Sequence, residues 1–163
     1  MRRAVCPGSY DPVTNGHLDI IERAANVFRR VIVGVVNEPQ RKQKTLFTAD
    51  ERKQFLLQAT TKHDNVEIEV FDTLLVDFAR KHSATALVKG LRAISDFEWE
   101  FEMNQLNRKL APEIESVYLM ASPQYSFLSS SGVKEIATFG ASVDDLVPPQ
   151  VAKALHDRLA RGN

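Results

Sequence analysis

A single cysteine, Cys6, stands among 163 residues, so the chain can close no internal disulfide and build no cysteine-rich zinc site. That scarcity suits a reducing compartment, and a cytoplasmic location is expected. No apolar run reaches the ~20 residues of a membrane span, and the start lacks a signal-peptide apolar stretch, so no membrane association is expected. Surplus charge is missing too: 21 Lys and Arg balance 21 Asp and Glu, which removes the electrostatic footprint of a nucleic-acid binder. Internal repeats and low-complexity tracts are also lacking. What remains is an ordinary globular composition, 44% hydrophobic and 26% charged, long enough to bury a core as one domain over residues 1–163.

Along this chain short β-rich runs alternate with helical patterns, the signature of parallel βαβ units. Strands are expected at "RRAVC" (2–6), "VIVGVV" (31–36), "VEIEVF" (66–71), "ATALVK" (84–89) and "SVYLMA" (116–121). The continuous apolar run at 31–36 reads as buried on both sides, and the alternating run at 66–71 as nearer an edge. Leu18, Ile21, Ala25 and Phe28 recur at helical spacing, and Thr48 with Glu51 forms a capping-box pattern ahead of Phe55 and Leu56. Further helices are expected at 74–81, 96–110, 131–138 and 148–161. The sum is an α/β class fold, doubly wound and Rossmann-like, with a mostly parallel five-stranded sheet and helices on both faces. Ligands of such sheets bind beyond the carboxyl ends of the strands.

Three of those strand ends carry residues suited to phosphate. After the first comes Gly8-Ser9-Tyr10-Asp11-Pro12, then Thr14-Asn15-Gly16-His17 at the mouth of a helix. Glycines admit close backbone approach, the helix start offers free N–H groups, and a first-turn histidine adds a directed donor. The plain alternative is a structural turn with a packed histidine. The stretch is neither a P-loop nor a dinucleotide fingerprint. After the fourth strand, Lys89, Gly90 and Arg92 bring two cations to the ligand end, against the alternative of a solvated loop. After the fifth, Ser129, Ser130 and Ser131 precede a helix, where each serine also makes a good N-cap. His63, His82 and His156 read as surface residues, and no serine–histidine–aspartate or metal-ligand grouping emerges.

"PGSYDPVTNGH", "VKGLRAISDFEWE" and "YSFLSSSGVKE" resemble, in order and in spacing, motifs of the nucleotidyltransferase superfamily and within it of the bacterial phosphopantetheine adenylyltransferases. The resemblance runs from Ala4 to Leu159. It implies adenylyl transfer from ATP to 4′-phosphopantetheine, giving dephospho-coenzyme A and pyrophosphate, with Mg²⁺ as cofactor and no protein metal ligands. A homohexamer and feedback inhibition by coenzyme A are implied as well. His17, Lys42 and Arg92 would be catalytic. Ser9, Tyr10, His17, Gly90, Leu91, Arg92, Glu100, Tyr125, Ser126, Phe127, Leu128, Ser129, Ser130 and Ser131 would hold ATP. Ser9, Arg41, Lys42, Leu75 and Lys89 would meet the pantetheine substrate. The loop "NEPQRKQKTLFTADER" is about three residues longer than its counterparts. The lysine those relatives carry there has Arg41, Lys42 and Lys44 as equivalents, Lys42 first and Arg41 second. Competing readings are a nicotinate-nucleotide adenylyltransferase, a cytidylyltransferase and a non-catalytic nucleotide-binding regulator.

Overall fold

A computed structural model describes residues 2–38 and 44–159. Its strands are β1 (Arg3–Gly8), β2 (Arg30–Val36), β3 (Val66–Phe71), β4 (Ala86–Leu91) and β5 (Glu115–Met120). All pair in parallel in the order β3-β2-β1-β4-β5, which puts the alternating run at one edge as expected. The helices are α1 (Asn15–Val27), α2 (Ala49–Ala59), α3 (Leu75–Lys81), α4 (Ile94–Leu110), α5 (Ser130–Thr138) and α6 (Pro149–Leu159). A short 3₁₀ turn, Pro123–Tyr125, was not expected from the sequence.

Side chains of successive strand residues go to opposite faces, and the two cores follow that alternation. Ala4, Cys6, Val31, Val33, Ala86 and Val88 pack on one face with Ile21, Leu56, Val133, Val151 and Leu155 from α1, α2, α5 and α6. Val5, Ile32 and Leu87 pack on the other with Val76, Phe78 and Ala79 of α3. Helices on both faces explain why β2 is apolar without interruption.

The crossovers leave β1 toward β2 and later return to β4 on its other side, so the chain reverses its winding between β1 and β4. There β1 and β4 pair only at Ala4–Ala86 and Val5–Leu87. Further along, β1 pairs with β2 through Gly8 and β4 with β5 through Met120. The two central strands therefore separate toward their carboxyl ends, and a crevice opens at the switch point, where ligands of such sheets sit.

β4 ends later than the sequence suggested. Gly90 and Leu91 continue the ladder opposite Leu119 and Met120, and Gly90 lies under α1, where a Cβ would come within 2.9 Å of Ile20. Two histidine readings are corrected: His82 is tucked edge-on to Phe78 at 4.7 Å with its side chain only 15% exposed, and the His63 side chain is 16% exposed, whereas His156 is exposed as expected.

Candidate active site

α1 begins in the crevice with a capping box in which histidine replaces the usual Glu or Gln. Thr14 is the N-cap, and its Oγ1 accepts the His17 backbone N–H at 3.3 Å. In return the Thr14 backbone N–H donates to His17 Nδ1 at 3.0 Å, with Thr14 Oγ1 also 3.0 Å from that nitrogen. A nitrogen that accepts carries no proton, so in the neutral ring the proton sits on Nε2. The imidazole is further held edge-on against Tyr10, ring centroids 5.1 Å apart. The box thus converts a helix-capping position into an oriented N–H donor.

The turn between β1 and α1 is held from three directions. Tyr10 adopts φ 48°, left-handed and unusual for a bulky residue, and its hydroxyl donates to the Cys6 carbonyl at 2.9 Å. A Cβ on Gly8 would stand 2.9 Å from the Tyr10 ring, so glycine makes room for it. Asp11 is fully buried: its carboxylate accepts the Leu46 and Phe47 N–H groups and the Lys134 ammonium, each at 2.9 Å. Burial pushes that carboxyl up, but the two amides and Lys134 together hold it below the ordinary range. On the far side Ser130 Oγ donates to the Pro12 carbonyl at 2.7 Å. Burial raises the Cys6 thiol to about 12, so this lone cysteine stays protonated and supplies no nucleophile.

From β4, Arg92 reaches across the crevice. Its guanidinium donates to the Leu128 carbonyl at 2.9 Å and to both oxygens of Asp96, at 3.1 and 3.2 Å. Lys89 faces Glu100 of α4 at 2.6 Å, with side chains 15% and 19% exposed. Glu98 and Glu102 lie exposed on α4 as a hydrated face would, whereas Glu100 does not. Past β5, Ser129 caps α5 by accepting the Gly132 N–H. Gly16 packs beside Tyr125 and Leu128, which joins this segment to the start of α1.

Ser9, Tyr10, His17, Arg92 and the 125–131 stretch are therefore gathered at one end of the sheet. Within that stretch, Phe127 and Ser131 are exposed, whereas the Leu128 side chain belongs to the core. The Ser126 hydroxyl donates to Pro123 and that of Ser130 to Pro12. Both hydroxyls are engaged within the protein, and the segment leads into the start of α5, where first-turn backbone N–H groups suit an anion. Leu75 opens α3 just past β3, half-buried against the second core. Lys44 is exposed; Arg41 and Lys42 lie outside the described residues.

Three pairings of the site escaped the sequence reading. Thr14 and His17 stand at capping-box spacing, but the motif rule asks for Glu or Gln. Asp96 lies four residues after Arg92, a helical ion-pair spacing that was readable. Asp11 and Lys134 are 123 positions apart, and only the fold joins them.

The model of the cytidylyltransferase-like family matches residues 5–136. The phosphopantetheine adenylyltransferase of Heliobacterium modesticaldum is 51% identical over 158 residues, 97% of this chain and 93% of the relative. That of Anaeromyxobacter dehalogenans is 48% identical over 98% of this chain and 96% of its own. That of Caldanaerobacter subterraneus is 48% identical over 99% of each. Among solved structures, a protein of Vibrio parahaemolyticus provisionally assigned as a nicotinate-nucleotide adenylyltransferase superposes with a TM-score of 0.73. That superposition covers 100% of this chain and 98% of the other at 15% identity, a likeness of fold alone.

Proposed function

This chain belongs to the cytidylyltransferase-like family and, within it, to the phosphopantetheine adenylyltransferases; on that premise we infer that it transfers the adenylyl group of ATP to 4′-phosphopantetheine, forming dephospho-coenzyme A and pyrophosphate. One observation carries the reading: motifs more than a hundred residues apart meet around His17 at the switch point of the sheet. Pyrophosphate release with ATP and 4′-phosphopantetheine tests it. Nicotinate mononucleotide as acceptor, or CTP as donor, should give little, and nucleotide binding without release would identify a non-catalytic regulator.

In this reaction a phosphate oxygen of 4′-phosphopantetheine attacks the α-phosphorus of ATP. A new P–O bond forms, the bond to the β-phosphate oxygen breaks, and its electron pair leaves with pyrophosphate. The attacking phosphate is already largely dianionic near neutral pH, so no strong protein base is required. The protein's part is to align two anions and to meet the charge that grows during transfer. His17 presents Nε2–H to an α-phosphate oxygen, and Thr14 fixes which nitrogen carries that proton. Arg92, already spanning the crevice to Leu128, faces the polyphosphate.

Mg²⁺, the proposed cofactor, would be held by the nucleotide's phosphates rather than by protein carboxylates. Among the described residues no three His, Cys, Asp or Glu side chains gather where one ion would reach them, and the Asp11 carboxylate is filled by its two amides and Lys134. A hydrated ion held mainly by substrate phosphates fits such a donor set, and it would supply positive charge to offset that on the leaving group.

Arg92→Ala should raise the KM for ATP by ~10–100-fold, the worth of hydrogen bonds to a charged group, and disturb 4′-phosphopantetheine less. Lys89→Ala should do the reverse, because the resemblance assigns Lys89 to the pantetheine substrate and it lies deeper than Arg92, 15% against 38% exposed. Equal effects on the two substrates in steady-state kinetics would reject this division. Lys42→Ala should lower turnover strongly and Lys44→Ala mildly, with Arg41 as the alternative; unchanged turnover in all three would remove the loop cations from the mechanism.

The proposed assembly is a homohexamer. Phe97, Phe101, Leu106 and Leu110 leave α4 with large exposed apolar side chains, which favour burial against another copy. Light scattering at six chain masses is the expected result. Coenzyme A, which contains the product's pantetheine and adenylate parts, is the proposed feedback ligand of the same site. Among the described residues no helix is long and apolar enough to cross a membrane; the proposed location, cytoplasmic, rests on the family's biosynthetic role.

A further inference from the structure

Arg52 is the largest side chain that the fold encloses completely, and the reaction as described does not use it. It stands in the first turns of α2 and donates only to main-chain oxygens. Nη1 reaches Ser9 at 2.7 Å and Val36 at 2.8 Å. Nη2 reaches Asn37 at 2.8 Å, and Nε reaches Phe47 at 3.1 Å and Thr48 at 3.3 Å. Among the described residues no carboxylate touches it; the charge of Asp11 acts on it through space.

A buried cation with no directly bonded anion is a costly way to fill a core, where an apolar side chain of similar volume would do. What an apolar side chain cannot do is join these oxygens. They belong to the turn after β1, to the chain leaving β2, and to the chain arriving at α2. All three lie at the carboxyl end of the sheet, and the first holds Tyr10, whose ring packs edge-on against His17. Lysine cannot replace the arrangement either: an ammonium offers three donors at one point, whereas the planar guanidinium holds five in fixed directions.

We propose that Arg52 is a positioning residue for adenylyl transfer: through the carbonyls of Ser9, Val36, Asn37 and Phe47 it sets the spacing between the phosphate turn after β1 and the stems on either side of residues 38–46. It touches no substrate, and its effect reaches the reacting atoms through the turn that supports His17. The inference rests on the adenylyl-transfer reading above.

The test compares wild type, Arg52→Lys and Arg52→Ala in pyrophosphate release with MgATP and 4′-phosphopantetheine, at a temperature where circular dichroism shows each to be folded. Arg52→Lys should lose ~10²-fold in kcat, the scale of a misplacement transmitted to the site, with the KM of both substrates little changed. Millimolar guanidinium should restore part of the kcat of Arg52→Ala, while equal ammonium should not. A folded Arg52→Lys enzyme with wild-type kcat, or variants that lose only thermal stability, would overturn the proposal. If neither variant folds, ¹⁵N-arginine spectra of wild type decide: saturation with a non-reactive ATP analogue and 4′-phosphopantetheine should shift the Arg52 Nε–H signal, and an unmoved signal overturns the proposal. A wild type that releases no pyrophosphate is a different failure, which sinks the adenylyl-transfer reading and this inference with it.

Discussion

Turnover of the His17→Ala enzyme is expected to fall ~10²–10³-fold, the usual cost of removing one preorganised donor to a transition state. KM should change far less, because the ground-state phosphates keep their other contacts. The substitution also removes half of a capping box, in which Thr14 N–H donates to Nδ1 at 3.0 Å, so a stability loss of ~1 kcal/mol should accompany it. His17→Gln separates the two effects. Glutamine suits the third helical position of a capping box, so its melting temperature should stay near wild type. With its carbonyl oxygen accepting from Thr14, its amide NH₂ is no longer fixed by a rigid ring at the place of imidazole Nε2, and turnover should remain low. Near-normal pyrophosphate release by His17→Ala would reject the assigned role. Equal instability of the two variants would reject the cap.

The order and class of the elements were legible because both rest on local pattern. The uninterrupted run at 31–36 had to be an inner strand, and the alternating run at 66–71 had to leave one side partly open; β2 and β3 took those places. Strand ends were less legible. Gly90 looked like the start of a loop, yet its missing side chain is what lets Ile20 of α1 lie on β4, and the ladder runs on past it. The candidate site was readable as separate loops with phosphate chemistry, because glycine, serine and cations at strand ends have local reasons to be there. Its internal wiring was not. Lys89 and Glu100, assigned to different substrates, face each other at 2.6 Å. Ser130 looked like a ligand of phosphate and spends its hydroxyl on Pro12. A pattern within one segment cannot report a partner that only the sheet order brings close.

Asp11 makes the largest stability difference expected in this fold. It is wholly buried, and its oxygens accept two backbone amides and the Lys134 ammonium, while the buried Arg52 charge lies nearby. Asp11→Ala would leave two amides without an acceptor and two cations without their compensating charge. Removing one member of such a buried pair costs ~3–5 kcal/mol, which for a domain of this size lowers the melting temperature by ~6–20 °C. Lys134→Met should cost less, since Asp11 would keep both amides. The pH dependence has a definite sign. Asp11's amides and Lys134 outweigh its burial and lower its folded pKa. Its contribution is therefore fully present above the unfolded aspartate value of ~3.9 and is lost as pH falls through the lower folded value. Wild-type melting temperature should drop over that acid window, and in Asp11→Asn this part of the drop should be missing. An Asp11→Asn curve parallel to wild type through the window would mean that the carboxylate is not held as its three partners imply. The turn beneath His17 would then owe its shape to Arg52, Ser130 and the Tyr10 hydroxyl.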